Sequence, residues 1–179
     1  YHGVMRTLLA CLLLVGCALA QDSVDAMDPD QALSGMEPSA RIDLLLDRSE
    51  AIRRNEPRQA IDLAAAARAE AEQLHDDTRV MRADLSIGVG HYLLGEYRQS
   101  MEASRRTLAL AQDLGDSLRV ASALNNIGVL YFVWGEHDVA IDHYLQALAI
   151  QEQLGDRAGL GRAYNNVAAV LQTAGEYDS

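Results

Sequence analysis

Two asparagine pairs stand out as side chains able to do chemistry. Asn125 and Asn126 lie in "SALNNIGVLYFVWGE", and Asn165 and Asn166 in "GRAYNNVAAVLQTAGE". Asparagine is a mediocre helix former that prefers caps and turns, yet both pairs sit in apolar, helix-like stretches. Its amide offers both a donor and an acceptor, which matches a peptide bond. The other reactive residues are less suggestive. His137 and His143 are six apart, on different faces of a helix, which argues against a shared metal ion. The "GVG" at 88–90 has no strand before it and no Lys-Ser/Thr after it, so it reads as helix-packing glycine rather than a phosphate loop. No serine has histidine and carboxylate partners at suggestive positions. No catalytic residues, metal site or cofactor are expected, and the chain reads as a binding protein rather than an enzyme.

Composition narrows the partners. The 179 residues are 49% hydrophobic but only 5% aromatic, which favours an Ala- and Leu-rich helical core over a β-sandwich. All three prolines precede residue 60, and all 15 basic residues are arginine. The net charge of −11 repels phosphate backbones and anionic lipid, so nucleic acid is discounted as a partner. Cys11 and Cys17 are the only cysteines, so the folded part contains neither disulfides nor thiolate-bound metal.

The first 20 residues read as an export signal. From Met5, "MRTLLACLLLVGCALAQD" places one arginine before an apolar run too short to span a bilayer as a mature helix. Two processing sites compete: an A-x-A site at Ala18 and Ala20, with cleavage before Gln21, and the "LVGC" ending at Cys17, which resembles a bacterial lipobox with Cys17 lipidated. Residues 1–4 read as an upstream scar, and the acidic, small-residue stretch 21–38 as a linker.

The elements that position the asparagines come from a repeat of 40. "GEY" at 95 recurs as "GEH" at 135 and "GEY" at 175, with "NEP" at 55 as the first copy. "LGD" at 114 recurs at 154, with "LHD" at 74 before it. A fixed period of this size marks a solenoid. Each unit reads as two helices, A and B. In the third copy, A spans about 117–134 and B about 136–154, Gly135 and Gly155 close helices, and Asp156 caps the next one. Leu124, Ile127, Gly128 and Tyr131 form the apolar face of A, and Ala140, Tyr144, Ala147 and Leu148 that of B. Glu96, Glu136 and Glu176 recur at the starts of B helices, where negative charge suits the helix dipole. His91 takes a tyrosine position and reads as partly buried core. Arg105 and Arg106 read as a solvated face.

The stretch "ALNNIGVLYFVWGEHDVAIDHYLQALAIQEQLGD" resembles a tetratricopeptide repeat of the longer, 40-residue kind. The resemblance implies an all-α, right-handed α-solenoid of about three and a half repeats. The divisions are a degenerate capping repeat at 39–77, full repeats at 78–117 and 118–157, and a truncated one at 158–179 holding only helix A and its turn. Val167, Val170 and Leu171 would then lack a partner, and the chain reads as a piece of a longer protein.

In families of this kind the A helices line a concave groove, and their asparagines often grip the backbone or carboxylate of a bound peptide. Carried over, this implies Asn125, Asn126, Asn165 and Asn166, with Arg82 and Arg162 for an acidic group and Tyr92 and Phe132 on the same stripe. Asparagines can instead stitch neighbouring repeats together. Helical spacing assigns Asn125 and Asn165 to the groove and Asn126 and Asn166 to the scaffold. The exported repeats resemble the periplasmic input regions of bacterial membrane signalling proteins, such as GGDEF-type diguanylate cyclases and sensor histidine kinases. The partner would be a protein or peptide, and the location the periplasm, free or membrane-anchored. The alternative is a lipid-anchored assembly factor for envelope proteins.

Overall fold

The computed structural model describes residues 35–177, so the export signal, Cys11, Cys17 and most of the linker lie outside the described residues. Among the described residues seven α-helices follow one another: α1 Pro38–Ile52, α2 Pro57–Gln73, α3 Asp77–Leu93, α4 Tyr97–Asp113, α5 Ser117–Val133, α6 His137–Leu154 and α7 Arg157–Tyr177. Helices α1, α3, α5 and α7 take the A role, and α2, α4 and α6 the B role. Each helix packs on its sequence neighbours, and the A helices also meet each other, α1 against α3 and α5 against α7. This is an α-solenoid. No described helix is long and apolar enough to cross a membrane.

The joints are nearly identical. From α2 onward the helices start at 57, 77, 97, 117, 137 and 157, so the A-to-B and B-to-A steps have the same length. Each of the five joints between α2 and α7 closes with the same bond pair, which satisfies carbonyls a helix end otherwise leaves open. In the α5–α6 joint, Gly135 N–H donates to Phe132 O (3.0 Å) and Glu136 N–H to Tyr131 O (2.9 Å). The motif needs a left-handed residue, supplied by glycine at 95, 115, 135 and 155. His75 holds the same conformation, with φ 54°, without being glycine. The α1–α2 joint differs: Asn55 does not turn left-handed, and Glu56 N–H instead reaches Ile52 O at 2.8 Å.

Helix starts separate the two joint types. Before the A helices, Asp76, Asp116 and Asp156 each accept a bond from the third helical N–H, at 3.0 Å in all three cases, which is N-capping. Before the B helices, Glu56, Glu96 and Glu136 occupy the cap position without a side-chain cap bond. Glu96 instead binds His91 Nδ1 (2.7 Å) and accepts from Arg58 (2.9 Å). The dipole reading of these glutamates therefore gives way, at Glu96, to a tie between repeats.

Packing follows the repeat. A Cβ placed on Gly128 would lie 2.6 Å from the buried Tyr144 ring, so glycine is what lets α6 seat on α5. Two expectations about α7 change. The helix runs through Gly175 to Tyr177, with no turn at that glycine. Glycine permits a left-handed turn but does not impose one. Val167 and Val170 also have partners: Val170 is fully buried in a cluster with Ala140 and Tyr144, joined by Val129, Tyr131, Phe132, Ile141 and Val167. Only Leu171 remains exposed, because α7 docks on α6 along its valine side.

Candidate peptide-binding groove

One cavity of about 630 Å³ opens on the A-helix side. Helix α3 contributes Gly88, Val89 and Tyr92, α5 contributes Asn125, Asn126 and Val129, and α7 contributes Arg162, Asn165 and Asn166. Ser100 comes from the first turn of α4, and Arg54 from the α1–α2 joint. The wall thus holds four amides, two guanidinium groups, one phenol and no carboxylate. Its size is that of a small-ligand or side-chain pocket, and its openness to the groove suits an extended segment.

The structure brings six of the eight expected residues to this wall: Asn125, Asn126, Asn165, Asn166, Arg162 and Tyr92. The other two lie elsewhere. Arg82 is closed by two carboxylates of α1, Asp47 at 2.6 Å and Glu50 at 2.9 Å. It ties α3 to α1, because the cap helix places acids opposite it. Phe132 leans on His137, with ring centroids 5.6 Å apart, and packs in the Tyr144–Val170 cluster. With α7 docked beside it, the ring is half-buried against the core. Arg54, which no motif or spacing singles out, takes the place of Arg82 as the second guanidinium of the wall. Its only sequence signal is a basic residue in the turn that replaces the glycine joint.

The asparagines divide differently from the spacing argument. Asn166 Nδ2 donates to Asn125 Oδ1 at 2.9 Å, across 41 residues. One residue assigned to the scaffold therefore bonds one assigned to the groove, and the pair stitches α5 to α7. Asn125 keeps its own N–H donors and Asn166 its carbonyl, so the pair still presents one donor and one acceptor to the cavity. Asn126 and Asn165 make no side-chain hydrogen bond among the described residues. They are the amides with spare capacity.

Charge is distributed unevenly around this wall. Arg41, Arg79, Arg82 and Arg106 each meet a carboxylate within 2.8 Å. Arg54 has no ion pair among the described residues, and Arg162 only reaches Asp156 at 3.9 Å with 60% of its side chain exposed. Behind the groove, Arg106 is not simply solvated, because it bonds the buried Asp84. Arg105 is exposed, as expected. His143 stacks on Tyr131 with centroids 5.3 Å apart and planes 7° apart. Its Nδ1 is buried without a partner. Burial lowers its pKa, with Arg105 adding to that and Asp142 opposing it. Among the described residues no cluster of three or more His, Cys, Asp or Glu could hold a metal ion.

With this geometry in view, comparison with known proteins gives a consistent picture. The chain is similar in structure to aspartyl phosphate phosphatase F from Bacillus subtilis (15% identity, TM-score 0.76, 83% of this chain and 39% of that one). It is also similar to the tetratricopeptide-repeat domain of FLU from Arabidopsis (22% identity, TM-score 0.61, 65% of this chain and 99% of that one). A third likeness is to a signal-transduction ATPase with numerous domains, bearing a tetratricopeptide-repeat sensor, from Pyrococcus horikoshii (15% identity, TM-score 0.69, 84% of this chain and 24% of that one). At these identities the likeness concerns the fold, and the chain spans 39% of the length of the Bacillus phosphatase. No curated protein matches. The family model for the tetratricopeptide repeat matches residues 79–153 and 119–179, together 79–179 and more than half of the chain. Joined to seven helices in paired repeats and a groove lined by the A helices, that match settles the family: the chain belongs to the tetratricopeptide-repeat proteins, a family of protein-interaction scaffolds.

Proposed function

We propose that the groove binds an extended polypeptide, and that the chain is the extracytoplasmic sensory or interaction region of a larger bacterial membrane signalling protein, of the diguanylate cyclase or histidine kinase type. The observation that carries the binding role is the wall itself: unpartnered amides at Asn126 and Asn165, two weakly paired guanidiniums and no carboxylate. Amides of this kind bond a main chain whatever its sequence, and Arg54 and Arg162 favour a ligand with carboxylates. The sensory role draws on the Pyrococcus ATPase, whose repeats are described as a sensor, and the export role on the apolar run after Met5.

Selection of displayed random peptides against the chain tests the groove. The enriched peptides should lose at least tenfold in affinity on Asn126→Ala with Asn165→Ala, at unchanged melting temperature. Enrichment indifferent to both changes would overturn the groove reading. Export is tested by a reporter active only outside the cytoplasm, fused after Glu37. An inactive reporter would rule out the periplasmic reading.

The lipid-anchored assembly factor remains the second reading because "LVGC" places Cys17 where a lipobox needs it. Cys17→Ser should then release the protein from membranes. Unchanged membrane partition would eliminate the anchor.

A further inference from the structure

The residues ahead of α1 carry the charges that the groove lacks. Asp22, Asp25, Asp28, Asp30 and Glu37 fall within 16 residues, and no basic residue lies between Arg6 and Arg41. The cavity wall presents Arg54, which has no ion pair among the described residues, and Arg162, which only reaches Asp156 at 3.9 Å, and holds no carboxylate itself, in a chain of net charge −11. An acidic molecule that keeps this cavity wall free of carboxylates has a surface complementary to its own N-terminal segment.

Geometry allows the two to meet. Helix α1 has 15 residues, a length of about 22 Å at 1.5 Å per residue, and Arg54 lies two residues beyond its end. A fully extended chain covers up to about 3.4 Å per residue, so the eight residues from Asp30 to Glu37 reach back over about 27 Å. The stretch from Asp22 reaches about 54 Å, more than twice the length of α1. A short flexible tether holds its ligand at an effective concentration of about a millimolar. An intrinsic affinity of only that order therefore fills the groove half the time.

We infer that residues 22–30 occupy the groove as a tethered peptide, with their carboxylates on Arg54 and Arg162 and their main chain on the Asn126 and Asn165 amides. This rests on the peptide-groove reading and adds regulation to it. A partner must displace the segment, so occupancy is set by competition rather than by affinity for an empty site. A partner of higher negative charge, or one that engages the segment itself, opens the groove.

The test uses the chain expressed from Gln21, which keeps all seven helices and contains no cysteine. Ser23→Cys then carries a single nitroxide. The side-chain amide signals of Asn126 and Asn165 should lose at least half their intensity. They should recover in about 0.5 M salt, where screening is strong, and on Arg54→Ala with Arg162→Ala. Full intensity at both amides would overturn the proposal. So would broadening that appears only when labelled and unlabelled copies are mixed, since the segment would then sit on a neighbour.

A second measurement separates this failure from that of the groove. A fluorescent peptide of residues 21–38 is titrated against the unmodified chain and against Asp22→Asn, Asp25→Asn, Asp28→Asn, Asp30→Asn. The neutralised chain should bind it at least twofold more tightly. Equal affinity for both overturns the tether and leaves the groove reading standing. Binding to neither overturns the acidic occupant altogether.

Discussion

Two junctions 40 residues apart solve the same packing problem with opposite chemistry. At the first, Asp84 of α3 is 2% exposed and lies between Arg68 of α2 and Arg106 of α4. Arg106 reaches one carboxylate oxygen at 2.8 Å and 2.9 Å, while Arg68 Nε lies 3.3 Å from it without hydrogen-bond alignment. At the second, the same three positions are Leu124, Leu108 and Gln146. There Leu124 packs with Ala121 and Ala147 beside the half-buried Leu108, Val120 and Ile150. The backbone tolerates either set, so the fold does not depend on the ion triad for its path. A buried carboxylate fixes which partners must face it, while an apolar contact accepts many shapes of similar volume. The first junction is thus specified by charge and the second by fit.

The largest effect should come from Asp84→Ala. It strands the Arg106 guanidinium, while Arg68 keeps Glu72 at 2.9 Å, and both guanidiniums are partly solvated, so the loss should be about 2–3 kcal/mol, below the roughly 3–5 kcal/mol of a broken buried pair. Replacing the whole set with that of the second junction, Arg68→Leu with Asp84→Leu and Arg106→Gln, should restore wild-type stability or exceed it. Urea midpoints measure both. A triple variant less stable than Asp84→Ala would show that the two junctions are not interchangeable.

Next in size is the glycine pair. Gly128→Ala drives a methyl to 2.6 Å from the Tyr144 ring and should cost about 1–2 kcal/mol after the gain in helix propensity. Gly88→Ala meets Ala103 Cβ at 3.3 Å, which a small shift relieves, so it should lie near neutral. Thermal melts of the two variants, compared directly, check the order.

The pH response comes third. His143 titrates below the ordinary histidine value of about 6.5 because burial disfavours its charged form. The unfolded chain then takes up the proton first. The contribution of this residue is therefore present above about pH 6.5 and declines as the pH falls below it. A second decline should begin below about pH 4. Asp43 is held low by its bond to Arg79, and Asp76 by the Arg79 backbone N–H. Depressed carboxylates stabilise above their unfolded pKa and lose that stabilisation as acid protonates them. His143→Leu, the residue of the first copy at this position (Leu63), should abolish the upper decline and leave the lower one. Melting temperatures taken from pH 8 to pH 3 resolve the two.

Smallest should be Asn125→Ala, which removes one half-exposed hydrogen bond to Asn166 and should cost about 0.5 kcal/mol. A double-mutant cycle with Asn166→Ala measures the stitch directly. Zero coupling would show that the bond adds nothing to the α5–α7 contact.

The repeat made most of the fold legible, because Gly95, Gly115, Gly135 and Gly155 fall at constant intervals and each ends a helix. Asp84 was legible in principle, since an acid stands where the next copy has a core leucine. Its role is not visible in the sequence, because its partners come from two different helices. Arg54 and Arg82 exchanged roles for the same reason: what surrounds an arginine depends on the cap helix α1, whose sequence departs most from the repeat. The asparagine stitch was hidden by the alignment itself. Matching copies at 40 residues pairs Asn125 with Asn165, whereas neighbouring helices meet one position out of step, Asn125 with Asn166.

The equal spacing of the helix starts makes tolerated changes in chain length discrete. Excising 40 residues between equivalent joints leaves each later helix facing the partners it had before. Excising 20 leaves every joint intact yet exchanges inner and outer helices from that point on, so the asparagines would move to the convex side. The solenoid therefore has a phase, much as a coding sequence has a reading frame, and a loss of half a unit is more damaging than a loss twice as long.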